Sequence, residues 1–220
     1  MSIDEMPGHL FRSLRKLLFH PFQFFKGMPE HPRLLPPLLL ILGICLVRSV
    51  WYSQVLADYT ARLLEGSSFP TGGFALWSMA LLTIGPVIRW VLVTGIVFVI
   101  SVLFRGKGSF ARLLTFTAYI VIIEQTIIHP VREIFGILAG RQIMNEISRL
   151  TMGSGYLSLP NLSTDPTIAA FWMVFRLIGV LSSVWVFIAY VAATRHGRNL
   201  PRINALLTVL LAFACMCGVA

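Results

Sequence analysis

Four ionisable residues lie inside or beside long apolar stretches of this chain, where charged side chains are least expected. They are Arg48, Arg89, Glu124 and Arg176. Counted at ~1.5 Å of helix rise per residue from the basic end of each stretch, they lie about 21–28 Å along it. In a hydrocarbon core of ~30 Å thickness, the four residues would share one charge layer in the outer third of a membrane.

This charge layer has the chemistry of an anion site. Charged side chains in hydrocarbon pair with one another or face a cavity, and one glutamate cannot neutralise three arginines. Arginine binds phosphate through two parallel hydrogen bonds, so a lipid phosphate would balance the excess charge. The structural alternative is that Arg48 and Arg176 extend to the lipid headgroups while Glu124 forms an ion pair with Arg89. The sequence leaves both interpretations open.

A second stretch, Gly106-Lys107-Gly108-Ser109, has the composition of a phosphate-binding loop. A nucleotide loop requires the order G-x-x-x-x-G-K-[ST] after a strand, and this stretch has neither. We interpret it instead as a tight glycine turn between two helices, with Ser109 capping the second. Arg105, Lys107 and Arg112 make the loop a candidate contact for a partner on the cytoplasmic side.

Patterns for catalysis and metal binding do not occur in the sequence. The histidines form no H-E-x-x-H motif, and there is no G-x-S-x-G elbow. Cys45, Cys215 and Cys217 lie in apolar runs without the spacing of a zinc module. We therefore expect no enzymatic activity, no metal and no cofactor.

The elements that must position these residues are membrane helices. Of the 220 residues, 56% are hydrophobic and only 12% are charged, about half the charged share of soluble domains. A soluble fold could not bury so much apolar side chain. We therefore relate the net charge of +9 to membrane orientation and do not expect nucleic acid as a partner.

Five apolar stretches reach or approach the length of about 20 residues that a membrane-spanning helix requires. We predict an all-α polytopic membrane protein with an N-terminal segment over residues 1–33 and a membrane domain over residues 34–220. The predicted spans are 34–52, 75–104, 110–128, 168–193 and 204–220. Pro86 either kinks the second span or separates a short interfacial segment from it. His129-Pro130 is expected to end the third span.

Basic residues predict the orientation of these spans. Three segments, namely the N-terminal tail and the loops before the third and fifth spans, hold 11 of the 18 Lys and Arg residues. Such an excess is typical of cytoplasmic segments, so we expect the N-terminus inside and the C-terminus outside. The 11 residues are Arg12, Arg15, Lys16, Lys26, Arg33, Arg105, Lys107, Arg112, Arg195, Arg198 and Arg202.

Two further segments carry apolar stripes at helical spacing. In residues 8–20, leucines including Leu14 and Leu17 predict a helix lying in the headgroup plane against anionic lipid. The alternative is a docking surface for a soluble partner. Residues 131–150 predict a second amphipathic helix, on the extracytoplasmic surface.

Two stretches resemble the Yip family of Ypt/Rab-interacting membrane proteins, especially its prokaryotic branch. Residues 14–43, LRKLLFHPFQFFKGMPEHPRLLPPLLLILG, are similar to the family's approach to the first span. Residues 103–122, LFRGKGSFARLLTFTAYIVI, are similar to its second loop and the span that follows, with the alanine-tyrosine pair at Ala118 and Tyr119. The five-span layout agrees with the family over residues 14–215.

The resemblance implies a five-helix domain with a cytoplasmic N-terminus, in a prokaryotic inner membrane. Eukaryotic members resemble scaffolds that bind Rab-type GTPases and carry a longer N-terminal region than residues 1–33, so we do not expect Rab binding here. We expect a non-enzymatic scaffold or membrane organiser that binds anionic lipid and protein partners or forms a homo-oligomer. The competing hypothesis is a transporter or lipid-handling protein that uses the charge layer.

Fusions to a reporter that is active only outside the cytoplasm test the orientation. We expect activity when the reporter follows Ala220 and none when it follows Gly108, because the basic loops stay inside. The reverse pattern would invert the topology.

Overall fold

The computed structural model describes residues 14–29, 32–63, 71–135 and 166–217, and all regular structure in these ranges is helical. Residues 14–19 form a short helical segment ahead of six labelled helices. The helix that begins at Phe110 passes through a π-helical turn, Glu124–Ile128, and continues to Phe135. The labelled helices are α1 (Pro21–Lys26), α2 (Leu35–Leu63), α3 (Thr71–Leu103), α4 (Phe110–Ile123), α5 (Pro166–Gly197) and α6 (Arg202–Cys217).

The described helices have the lengths and compositions of a membrane protein. Three contain a stretch that is long and apolar enough to cross a bilayer, and two others contain a shorter apolar stretch. This confirms the all-α membrane class that the composition predicted. The long stretches are Met79–Leu103, Phe110–Phe135 and Met173–Gly197, and the shorter ones are Leu35–Trp51 and Arg202–Met216.

Prolines bear on the boundaries of two helices. The α3 helix passes through Pro86 without interruption, which agrees with the alternative that residues 75–86 and the second span form one long helix. The prediction that His129-Pro130 ends the third helix was wrong, because that helix continues to Phe135. The π turn lies just before Pro130. A wider turn there relieves the clash between the proline ring and the preceding turn of backbone.

The amphipathic helix predicted over residues 131–150 is only partly within the described ranges. Residues 131–135 extend the helix that begins at Phe110. Residues 136–150 lie outside the described residues.

The chain forms two compact units, which we call the larger unit (residues 1–125 and 187–220) and the smaller unit (residues 126–186). In the larger unit, α3 packs against α2, α4 and α6, and α2 also packs against α4. Ten of the 14 residues of α4 are buried, so this helix lies inside the unit. In the smaller unit, the guanidinium carbon of Arg132 lies 5.6 Å from the ring centre of Phe175.

Hydroxyl groups link the apolar helices of the larger unit. Thr83 Oγ1 donates to Ser49 Oγ over 2.9 Å and thereby joins α3 to α2. Trp90 Nε1 donates to Thr117 Oγ1 over 2.9 Å, and the Thr94 hydroxyl lies 2.8 Å from the same oxygen, which joins α3 to α4. Such bonds between membrane helices contribute about 0.6 kcal/mol each on average.

The apolar side of the N-terminal segment is buried against other helices of the protein. Leu17 and Phe25 are buried, and Leu14 packs against the core formed by α2, α3 and α4. The Phe25 ring stacks on Phe116 with 5.4 Å between centres. The sequence assigned this apolar side to lipid, because hydrophobic spacing alone does not distinguish lipid from neighbouring helices. Residues 8–13 of the predicted helix lie outside the described residues.

The glycine loop between α3 and α4 packs against the corner between α5 and α6. The Lys107 N–H donates to the Arg198 carbonyl over 2.9 Å. A Cβ atom on Gly108 would overlap the carbonyl of Gly197. The left-handed backbone conformation in this loop is adopted by Arg105, with a φ of 60°. Gly108 is thus required by this close approach of two backbones, and not only by the tight turn that was predicted.

Arg198 joins this corner to α3. It is 3% exposed, and its Nε donates to Ser101 Oγ over 2.8 Å. Its Nη2 donates to the Gly106 carbonyl over 2.6 Å, and the guanidinium lies 4.2 Å from the ring centre of Phe98. Burial lowers the pKa of Arg198 from its ordinary value. An arginine nevertheless stays charged at neutral pH, so the corner contains a buried cation held by hydrogen bonds.

Gly108→Ala should lower the thermal unfolding midpoint of the purified protein, because the added methyl group forces the two loops apart. Overpacking of this kind costs about 1–3 kcal/mol. Gly43→Ala is the matched control, since a Cβ atom there meets no atom within 4 Å. It should leave the midpoint unchanged or raise it. Equal midpoints for the two variants would contradict the close packing at Gly108.

Candidate functional site

Two arginines of the predicted charge layer meet adjacent residues of the third helix. Arg89 Nη2 lies 3.3 Å from Glu124 Oε1, and Arg48 Nη1 donates a hydrogen bond to Gln125 Oε1. Adjacent positions on a helix project about 100° apart. Glu124 can therefore reach α3 while Gln125 reaches α2.

The ion pair is asymmetric in its exposure. The Glu124 side chain is 13% exposed, whereas that of Arg89 is 64% exposed. Most of the Glu124 side chain is therefore enclosed by protein, whereas most of the Arg89 side chain is exposed. Arg89 consequently has room to contact a further group from outside.

The predicted layer is only partly assembled within one unit. Arg48, Arg89 and Glu124 belong to the larger unit, where their formal charges leave an excess of one positive charge. Arg176 belongs to the smaller unit, and its side chain is exposed. The structure thus brings three of the four predicted residues to one short stretch of the third helix.

Sequence reasoning missed Gln125. This residue is 4% exposed and accepts the hydrogen bond from Arg48, but it carries no charge and was not counted among the ionisable residues. Its position beside Glu124 in an apolar run was the available signal. The π-helical turn that contains both residues could not be read from the sequence, although such turns are frequent at functional sites.

The three basic residues of the predicted loop contact differ in their exposure. The side chains of Arg105 and Lys107 are exposed. Arg112 is half-buried, and its guanidinium carbon lies 5.5 Å from the ring centre of Phe116. Its backbone N–H donates to Ser109 Oγ over 3.2 Å, which confirms the predicted helix cap.

The described residues offer charge and hydrogen-bond donors but no cluster suited to a metal ion. In the ranges that the structure covers, no group of three or more His, Cys, Asp or Glu side chains could hold a metal. Cys45 is a buried free thiol, and Cys215 is an exposed one. Around Glu124, the ion pair with Arg89 and the neighbouring Arg48–Gln125 hydrogen bond can bind and neutralise charge in apolar surroundings.

The family model described as Yip1 domain matches residues 15–220. Neither the curated proteins nor the solved structures contain a match to the chain.

A double-mutant cycle tests the coupling between Glu124 and Arg89. Glu124→Gln should lower the free energy of unfolding because it leaves Arg89 without its counter-charge. Adding Arg89→Gln should recover part of the loss, with a coupling of about 1 kcal/mol. Unfolding in mixed micelles measures each value. Pairing Glu124→Gln with Arg105→Gln, an exposed arginine just beyond the end of α3, should give additive losses. Additivity in both cycles would mean that the Arg89–Glu124 contact has no energetic role.

Proposed function

Because the chain belongs to the Yip1 domain family, we propose that it is a five-span membrane protein that works as a non-enzymatic scaffold. Its proposed partners are anionic lipids and other membrane proteins, including further copies of itself. The observation that carries this proposal is that polar side chains of the membrane helices bond to one another. We place the protein in a prokaryotic inner membrane with its N-terminus in the cytoplasm.

Helix packing supports five crossings. The α3 helix is long enough to span a bilayer, and the shorter apolar helices in α2 and α6 both pack against it. Neighbours that pack along a spanning helix occupy the same apolar layer. The stretches Leu35–Trp51 and Arg202–Met216 would extend about 26 Å and 23 Å at ~1.5 Å per residue. These lengths approach a hydrocarbon thickness of ~30 Å.

The internal hydrogen bonds favour a scaffold over a transporter. A transport pathway requires polar groups that water and substrate can reach near the middle of the membrane. Here Thr83 bonds to Ser49, and Trp90 and Thr94 both meet Thr117. These groups satisfy one another inside the helix packing, as expected of a rigid membrane domain.

The outward surfaces of the helices provide area for partners. Val99 and Leu103 of α3 are 65% and 77% exposed. In a membrane such residues contact either lipid tails or the helices of another protein. A scaffold would use part of this surface to contact the helices of partner proteins. Such helices associate in a membrane mainly through close side-chain packing.

A lipid-handling role is the second candidate, and the exposure of Arg89 favours it. A charged side chain at the centre of a membrane helix costs about 2.5–3.5 kcal/mol on insertion scales. The ion pair with Glu124 offsets part of this cost for Arg89. A lipid phosphate drawn toward the exposed Arg89 side chain would offset more of it.

Photo-crosslinking in native membranes tests the scaffold. A benzophenone side chain replacing Val99 or Leu103 should give discrete protein adducts that saturate as expression rises, because a scaffold holds defined partners. Val102, which is also exposed on α3, serves as a matched third position. Adducts with lipid alone at all three positions would contradict the scaffold.

Thiol accessibility tests the transporter in the same protein. In a variant with Cys45, Cys215 and Cys217 replaced by alanine, Lys107→Cys should react with a membrane-impermeant maleimide. Glu124→Cys should remain unreactive from both sides, as should Leu92→Cys on the exposed apolar surface of α3. Labelling of Glu124→Cys at the rate of Lys107→Cys would reveal a water-filled pathway and favour the transporter.

A further inference from the structure

Four basic side chains from three helices converge at one end of the larger unit. Lys26 lies in the last turn of α1, Arg112 in the first turn of α4, and Arg195 and His196 in the last turn of α5. Burial lowers the pKa of the His196 imidazole, and the nearby charges of Arg195, Lys26 and Arg112 lower it further. Such interactions are appreciable only at short range. We call these four residues the basic cluster.

Ring packing and a glycine contact bring the cluster together. The Phe25 ring stacks on Phe116 at 5.4 Å, which brings Lys26 to the first turns of α4. On the other side, a Cβ atom on Gly197 would lie 3.2 Å from Leu113 Cδ1. The last turn of α5 therefore lies directly against α4. Buried aromatic and backbone contacts thus hold the cluster in place.

The charge of Arg112 interacts unfavourably with the dipole of its own helix. Cations in the last turn of a helix, such as Lys26 and Arg195, interact favourably with the negative end of the helix dipole. Arg112 instead lies at the positive end of α4, whose first turn contains no acidic residue. Its Nε atom is buried and makes no hydrogen bond. This nitrogen requires an acceptor that its helix does not supply.

The surrounding protein offers no counter-charge in its described part. The described residues of the three contributing regions, 14–29, 104–112 and 194–203, include no aspartate or glutamate. Cations gathered without a counter-charge repel one another, and the repulsion is stronger where protein excludes water. Binding of an anion to the cluster would remove this repulsion.

Phosphate is the anion that fits this set of donors. Arginine binds phosphate through parallel hydrogen bonds, and lysine adds a compact charge. Arg112 and Arg195 lie within a turn of the ends of the apolar stretches Phe110–Phe135 and Met173–Gly197, which is the level of lipid headgroups. We propose that Lys26, Arg112, Arg195 and His196 bind one phosphate group at the membrane surface, carried by a lipid headgroup or free in solution. This site is separate from the Glu124 region. The proposal rests on the proposed function only in that anionic lipid is one of its partners, and the experiments below measure phosphate binding apart from the scaffold's protein contacts.

Lipid binding to the full chain in a maltoside detergent, which has no phosphate, tests the proposal. Native mass spectrometry should show that phosphatidic acid binds about tenfold more tightly than diacylglycerol, which lacks the phosphate. Arg112→Gln should reduce the affinity for phosphatidic acid by about tenfold, because it removes a charged hydrogen-bonding partner. Arg112→Lys should lose less, since it retains the charge but not the paired donors.

Matched variants separate a built site from general surface charge. Lys107→Gln and Arg202→Gln remove the same charge from exposed positions in the neighbouring loops and should change the affinity less than twofold. The unfolding midpoint without lipid checks that every variant is folded. Arg195→Gln provides an independent test should Arg112→Gln fail to fold, with the same tenfold loss expected.

A second arm distinguishes the two sources of phosphate. Sodium phosphate at the ionic strength of a sodium chloride control should raise the unfolding midpoint of the wild-type chain but not of Arg112→Gln. If inorganic phosphate displaces bound phosphatidic acid, the free ion is also a ligand. If it does not, the site is specific for the lipid. Equal losses in Arg112→Gln and Lys107→Gln, or equal binding of phosphatidic acid and diacylglycerol without stabilisation by phosphate, would overturn the proposal.

Discussion

Hydrocarbon provides no hydrogen bonds, so every polar group carried into it must find its partner within the protein. This constraint explains why α4, with ten buried residues out of 14, lies against both α2 and α3. Thr117 accepts from Trp90 and also bonds to the carbonyls of its own helix. Glu124 and Gln125 continue the same function about two turns further along, where they meet Arg89 and Arg48. The central helix thus satisfies the polar side chains of both neighbours.

The two ends of this helix handle charge differently. Near Glu124, positive charge is balanced in part by one carboxylate, and Arg89 remains largely exposed. At the opposite end, Arg198 is enclosed and neutral oxygens satisfy its donors, whereas Arg112 keeps a buried nitrogen without a hydrogen-bond partner. At the Glu124 end, an ion pair therefore stabilises the charged side chains. At the opposite end, a backbone carbonyl and aromatic rings contact the arginines.

Close backbone contact at the basic end connects these features. The loop before α4 approaches the corner after α5 so closely that a side chain on Gly108 would overlap the Gly197 carbonyl, and a Cβ atom on Gly197 would lie 3.2 Å from Leu113 Cδ1. The same approach brings Arg195 and His196 to the first turn of α4, while Phe25 brings Lys26 there from the N-terminal segment. A loop with the composition of a nucleotide-binding motif thus serves as a packing element that arranges cations from other helices.

Composition and hydrophobic runs determined the membrane class, the all-helical fold and the approximate positions of the helices. The transfer of apolar side chains out of water dominates the free energy of placing a helix in a membrane. Local chemistry also determined the cap at Ser109, since that contact lies within one turn. The pairing of Glu124 with Arg89 was predicted as one of two alternatives. Glu124 is the acidic residue of the charge layer, so the sequence offers it a small number of possible partners. Only the tertiary structure decided that Gln125 receives Arg48, that Leu17 faces protein and that Lys26 and Arg112 lie beside His196. These contacts join residues far apart in the chain, and hydrophobic spacing is the same whether a helix face meets lipid or another helix.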